Sequence, residues 1–198
     1  MRGELLMTGD YVNRKLLNDV TSYDCNSNAT YVVKKFLKPY PSALENKVCT
    51  DGCNKNNTKR LLNMIPININ IITESNFKKI KESIDSALLT ETICSSCTSK
   101  AEFVYTISDH IIIDTNGCGT CSLEHIPYYL TVNNKTYILR GLSHYISTNS
   151  EDLNCIGHYT AYCRRSDGFW ELYNDCEKAS KTISKSSEVL PHIIIYTI

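Results

Sequence analysis

Residues 157–175 read Gly157-His-Tyr-Thr-Ala-Tyr-Cys-Arg-Arg-Ser-Asp-Gly-Phe-Trp-Glu-Leu-Tyr-Asn-Asp175, and they decide the fold. β-formers flank a polar turn ending in Asp167-Gly168, the pattern of an antiparallel hairpin. With a loop at 165–168, Arg164 pairs with Phe169, and His158 falls opposite Asp175 and next to Asn174. An acceptor on the second strand then reaches an imidazole nitrogen on the first. Such a contact fixes tautomer and ring orientation, which a general base needs before it can deprotonate a thiol. A single strand histidine is more often structural, so the hairpin alone leaves catalysis open.

Working outward, the second half of the chain reads as successive short antiparallel strands at 128–132, 136–145, 158–163, 170–173 and 192–197. Asn133-Asn134 and Ser166-Asp167-Gly168 supply turns. Two further β-rich runs lie at 103–107 and 111–113. Upstream, residues 11–17 suit a short helix, and Asn28 can cap a second helix over 29–37. Residues 61–72 (LLNMIPININII) alternate Ile65, Ile67, Ile69 and Ile71 with Pro66, Asn68 and Asn70, the period of a half-buried strand. Phe77, Ile80, Ile84 and Leu88 recur at helical spacing, with Ser75 as the expected N-cap. These signals predict an α+β protein with a β-rich second half.

The chain has ten cysteines. Cys49/Cys53 and Cys94/Cys97 each put two sulfurs on a tight turn, as a closed four-ligand zinc site requires. The predicted strand and helix between the pairs would make the metal a clamp on that excursion. Cys118/Cys121 is a third pair on a glycine-bearing turn, read as a turn coincidence, with a second metal or a redox couple as alternatives. Lys plus Arg (21) equals Asp plus Glu (21). Nothing in that balance points to nucleic acid or to an acidic membrane surface. No apolar run reaches the length of a signal peptide core or a membrane span, so the expectation is a cytoplasmic or nuclear protein with reduced thiols.

The string GHYTAYCR, followed by a turn, Trp170 and Tyr173-Asn-Asp175, resembles the histidine box of ubiquitin-specific proteases, the papain-like cysteine isopeptidases that cut ubiquitin from proteins. Tyr137-Ile-Leu-Arg-Gly-Leu-Ser-His-Tyr145 resembles that family's strand before the box, and Leu190-Pro-His-Ile-Ile-Ile-Tyr196 its closing strand. The two cysteine pairs match its zinc-bearing fingers. The resemblance covers about 45–198 and implies an antiparallel palm sheet (101–198) with zinc fingers (45–100), after a helical lead-in (1–44). It implies His158 as catalytic base, Asn174 (four after Trp170) as third member, and Asp175 as an assisting neighbour. Gly157 would let the ubiquitin tail approach closely. Cys49, Cys53, Cys94 and Cys97 would hold structural zinc. Tyr159 and Trp170 would pack the hairpin, and His144 would be a structural histidine.

The family's nucleophile lies in a segment resembling Gly-Asn-Thr-Cys followed by a helix, and no such string occurs here. Cys25, in Tyr23-Asp-Cys-Asn, is the nearest imitation, but it lacks the preceding donors and stands only 24 residues before Cys49. The fold is therefore expected to be partial, with the helical thumb largely missing. The functional expectation is the C-terminal portion of a ubiquitin or ubiquitin-like isopeptidase that is inactive alone. The alternative is a catalytically dead module of the same fold that binds ubiquitin or another partner.

Overall fold

The computed structural model describes residues 13–17, 20–24, 29–51, 53, 58–146 and 158–198. The lead-in carries a β-hairpin, β1 (Asn13–Leu17) with β2 (Val20–Asp24), where a short helix was expected from 11–17. Helix α1 (Ala29–Phe36) follows and ends just before Lys38-Pro-Tyr-Pro, since proline cannot continue a helix. The expected cap Asn28 lies outside the described residues.

Four strands form the finger sheet in the order β4-β3-β6-β5: β3 (Ala43–Cys49), β4 (Thr58–Leu62), β5 (Glu91–Ile93) and β6 (Lys100–Ile107). The central β3–β6 pairing runs from Ala43 opposite Ile107 to Cys49 opposite Ala101. At the base of this sheet Glu45 is buried. Its carboxylate accepts from Arg60 (Nε 3.0 Å, Nη2 3.1 Å) and from the Tyr105 hydroxyl (3.1 Å). Burial and then the Glu45 carboxylate push the Tyr105 phenol up to about 12.

Between β4 and β5 the chain forms helices α2 (Ile69–Glu74) and α3 (Ile80–Leu88). The strand expected over 61–72 is not there. Leu61 and Leu62 end β4, Ile65 reaches the palm by donating its N–H to the Ile112 carbonyl (2.9 Å), and Asn68 then caps α2. The Asn68 Oδ1 accepts from the Asn70 N–H (3.2 Å), while its own N–H donates to Ser83 Oγ (2.9 Å). Asparagine at an N-cap, with proline two residues before, outweighs a two-residue apolar alternation. The expected cap Ser75 ends α2 instead, its hydroxyl donating to the Ile71 carbonyl (2.6 Å), and Lys79 precedes α3. The helical apolar spacing holds: Phe77, Ile80 and Ile84 are fully buried, with Phe77 at a φ of 66° just before α3.

The palm is a seven-stranded antiparallel sheet, ordered β13-β12-β11-β10-β15-β7, with β9 also on β10. Its strands are β7 (His110–Asp114), β9 (Tyr129–Val132), β10 (Lys135–Ile146), β11 (His158–Arg164), β12 (Trp170–Tyr173), β13 (Lys181–Ile183) and β15 (Pro191–Thr197). A two-stranded pairing of β8 (Cys121–Ser122) with β14 (Glu188–Val189) lies beside it. The β9–β10 turn is Asn133-Asn134, both at positive φ (48° and 62°), a backbone that asparagine tolerates best after glycine. One core fills the space behind the sheet, around Trp170, Tyr137, Tyr196, Ile111, Ile113, Ile194, Leu123 and the helix residues Ile72 and Ile84. The buried hydroxyls of Tyr137 and Tyr196 donate to the carbonyls of Ser108 and Pro127, each at 2.7 Å. Among the described residues, no helix is long and apolar enough to cross a membrane.

Candidate active site and cysteine cluster

His158 opens β11, and the strand lies between β10 and β12. Its neighbour on β10 is Ile146, and the ladder runs to Gly141 opposite Cys163. On the other side Arg164 pairs with Trp170, and Ala161 with Tyr173. That register is one residue away from the Arg164–Phe169 pairing expected from the sequence. The loop is longer, closed by the Arg165 N–H on the Phe169 carbonyl (2.9 Å) and the Gly168 N–H on the Arg165 carbonyl (3.0 Å).

The contact survives because β12 ends at Tyr173. Asn174 leaves the ladder, and its side chain turns back toward β11. The Asn174 Oδ1 stands 2.8 Å from His158 Nε2 and accepts the Cys176 N–H at 3.0 Å. Since a backbone N–H points at that atom, it is the amide oxygen, and the imidazole must donate from Nε2. The Nδ1 lone pair is then left to accept a proton from elsewhere. Asp175, next along, places Oδ1 at 3.5 Å from the same Nε2 and is largely exposed. His158, Asn174 and Asp175 are therefore brought together as expected. Gly157 lies outside the described residues, as does Cys25.

Two other histidines, His144 and His192, are held within the palm by their ring nitrogens. His144 Nδ1 accepts the Leu190 N–H (2.8 Å), its ring meets Tyr162 edge-on, and burial lowers its pKa. A network that sequence reading missed joins α1 to the palm. Tyr159 Oη lies 2.5 Å from His192 Nδ1, and Thr30 donates to Asp114 Oδ2 (2.8 Å), with Asp114 Oδ1 at 4.0 Å from His192 Nε2. Burial lowers the His192 pKa, which Asp114 partly offsets. The participants come from four separate segments, so no local pattern marks them. Trp170 is fully buried in the hairpin, under the Arg164 guanidinium.

The second candidate centre lies at the tip of the finger sheet. Cys49 ends β3, Cys53 follows in the turn toward β4, and Cys94 and Cys97 lie in the β5–β6 turn. The Cys94 N–H donates to the Ser99 carbonyl (2.8 Å) and the Thr98 N–H to the Cys94 carbonyl (2.9 Å). Because β3 pairs with β6, the two turns are side by side, and all four sulfurs lie within 4.8 Å of one another. Cys49 Sγ and Cys97 Sγ are 3.3 Å apart, and none of the four is in a disulfide. Zinc–sulfur bonds of about 2.3 Å in a tetrahedron separate sulfurs by about 3.8 Å, so the cluster has the size of a closed zinc site. The Cys49 thiol is raised, first by its contact with Cys97 and then by burial, as crowded thiols are until a cation takes their protons.

Cys118 and Cys121 instead are buried in the core, and burial pushes the Cys121 thiol up to about 12. Burial raises the Cys118 thiol as well.

The fold is shared with solved structures. A chain of the SAGA Ubp8/Sgf11/Sus1/Sgf73 DUB module matches over 83% of this chain and 41% of its own, with TM-score 0.52 and 17% identity. A yeast SAGA DUB module matches over 86% and 45% (TM-score 0.51, 19% identity). A SAGA DUB module bound to monoubiquitin matches over 79% and 40% (TM-score 0.50, 20% identity). This chain thus spans less than half the length of the structures it matches. In sequence, 80 residues are 39% identical to the 120.7 kDa protein in the NOF-FB transposable element of Drosophila melanogaster, covering 40% of this chain and 7% of that one. No family model matches the chain.

Proposed function

We propose that this chain, which has part of the ubiquitin-specific protease fold, is the base-bearing portion of a cysteine isopeptidase that acts on ubiquitin or a ubiquitin-like protein. The observation that carries this reading is the 2.8 Å contact between His158 Nε2 and Asn174 Oδ1 at the mouth of the palm sheet. In this reading, Nδ1 of His158 accepts the thiol proton of a nucleophilic cysteine. The thiolate attacks the isopeptide carbonyl, and the imidazolium returns the proton to the departing lysine amine. Water then hydrolyses the acyl-enzyme. Asn174 holds the tautomer, and Asp175 lies beside the same nitrogen, its Oδ1 3.5 Å from Nε2.

Among the described residues, the sulfur grouped with His158 is that of Cys176. It lies 3.8 Å from Asp175 Oδ1, the carboxylate oxygen beside Nε2, so we read it as neighbouring the orienting groups rather than as the nucleophile. We infer that the chain alone supplies base and orienter without the nucleophile. A zinc ion on Cys49, Cys53, Cys94 and Cys97 would close the finger tip and hold the β3–β4 and β5–β6 turns together. Cytoplasm or nucleus, where thiols remain reduced, suits such a site.

The test pairs binding with turnover. Immobilised ubiquitin should retain the protein, and a ubiquitin–fluorophore conjugate should remain uncleaved by it. Turnover lost in Cys25→Ala would overturn the assignment of inactivity. Absence of binding to ubiquitin and to ubiquitin-like proteins alike would overturn the substrate class.

A further inference from the structure

We propose that His158, Asp175 and Cys176 form a three-ligand site for a thiophilic divalent cation such as zinc, separate from the four-cysteine cluster. Three donors of different chemistry, an imidazole nitrogen, a carboxylate oxygen and a sulfur, lie within 4.8 Å of one another at an exposed edge of the palm. Two of the three separations are defined: His158 Nε2 to Asp175 Oδ1 is 3.5 Å, and Cys176 Sγ to Asp175 Oδ1 is 3.8 Å. Tetrahedral zinc, with bonds of about 2.0–2.1 Å to N and O and about 2.3 Å to S, sets those edges at about 3.4 and about 3.6 Å. Those two edges therefore match one ion within a few tenths of an ångström. The third, from His158 to Cys176, lies within 4.8 Å, and Cys176 is exposed, so its side chain is free to move as an ion binds. Three protein ligands leave a fourth position for water, as in open zinc sites.

The surrounding hydrogen bonds hold this arrangement. The Cys176 N–H donates to Asn174 Oδ1, and the Glu177 N–H to the Asn174 carbonyl (3.0 Å), so the 174–177 turn presents the carboxylate and the thiol toward His158. The chemistry balances simply. The cation takes the Cys176 thiolate, releasing one proton to solvent, and takes the Nε2 lone pair once the imidazole proton has moved to Nδ1. The neutral ring is conserved, but its tautomer is reversed. Binding therefore has two effects on His158. It displaces the Asn174 hydrogen bond from Nε2, and it turns Nδ1 from an acceptor into an N–H. The coordination stands on geometry alone. Its consequence, a base switched off by metal capture, rests on the function proposed above.

The experiment begins with protein carrying one equivalent of zinc and adds Co2+ as a probe. A second equivalent should bind with thiolate-to-cobalt charge-transfer absorption. Cys176→Ser should abolish that absorption, and His158→Ala should weaken the second equivalent by about tenfold or more. Cys176 and Asp175 are exposed, so the Cys176→Ser and Asp175→Asn proteins should keep the wild-type far-ultraviolet spectrum. Long-range nitrogen–proton spectra of His158 should show Nε2–H without the second ion and Nδ1–H with added Zn2+. Lack of a second equivalent, or one indifferent to Cys176→Ser, would overturn the site and leave the base assignment standing. Nδ1–H in the protein without the second ion would instead overturn the base assignment and leave the site standing.

Discussion

Replacing Gly141 by alanine should open the palm between β10 and β11, the strand that carries His158. A Cβ built on Gly141 would stand 2.3 Å from the Tyr162 carbonyl oxygen and 3.3 Å from the Cys163 Cα, against an ordinary contact of 3.4 Å or more. The obstacle is backbone, so no side chain can swing aside. Separating the strands by the missing 1.1 Å would stretch ladder bonds of about 2.9 Å to about 4 Å, beyond hydrogen-bonding range. Two lost ladder bonds at about 1 kcal/mol each, with about 1 kcal/mol of residual strain, give about 3 kcal/mol. That is a large part of the roughly 5–15 kcal/mol stability usual for a domain. With a urea m-value of about 2 kcal/mol/M, the midpoint should fall by about 1.5 M. Gly168→Ala is the control. Its Cβ would meet only Arg164 Nη2, at 3.6 Å, and its cost of about 1–2 kcal/mol comes from the left-handed φ of 90°. A Gly141→Ala midpoint within about 0.3 M of wild type, at unchanged m, would refute the steric reasoning.

Other outcomes follow from the site. Asn174→Ala should leave the fold intact and free the His158 ring, so that its nitrogen spectrum shows a mixture of tautomers in place of Nε2–H alone; an unchanged spectrum would detach Asn174 from that role. Elemental analysis should find zinc bound by the four-cysteine cluster, and a strong chelator should lower thermal stability; a stable protein insensitive to both chelator and Cys49→Ser would remove the metal. His144 and His192 both have native pKa values lowered by burial. Because the unfolded chain takes up those protons first, stability should be intact above about pH 6.5 and fall as pH drops through the lowered native values. Urea midpoints flat or rising over that interval would contradict the linkage.

The hairpin at 158–173 was legible because alternating β-formers around a polar turn leave little else to form. Its register was not legible to the residue, since turn geometry fixes it and a longer loop shifts every pair by one. The His158–Asn174 contact tolerated that error because Asn174 lies past the end of β12, where a side chain can turn freely. Cysteine spacing revealed the finger ligands, although their convergence depends on β3 lying against β6, a long-range pairing. In the 61–72 segment the isoleucine alternation mimics a strand, while Pro66 and the capping amide of Asn68 set a helix start instead. The Thr30–Asp114–His192–Tyr159 network had no sequence mark, as its parts meet only when α1 docks on the sheet. Cys176 stood next to the residues that mattered, but only the turn at 174–177 brings its sulfur to the imidazole.

The strand order of the palm bears on how the protein is made. β15 is translated after the other six strands of its sheet, yet it sits inside, between β10 and β7. Until it emerges from the ribosome, two apolar ladders stay unpaired, and the nascent chain carries open edges that invite aggregation. The finger sheet, encoded wholly within 43–107, can close well before then. A nascent chain halted before β15 is therefore expected to bind chaperones at its unpaired β7 and β10 edges.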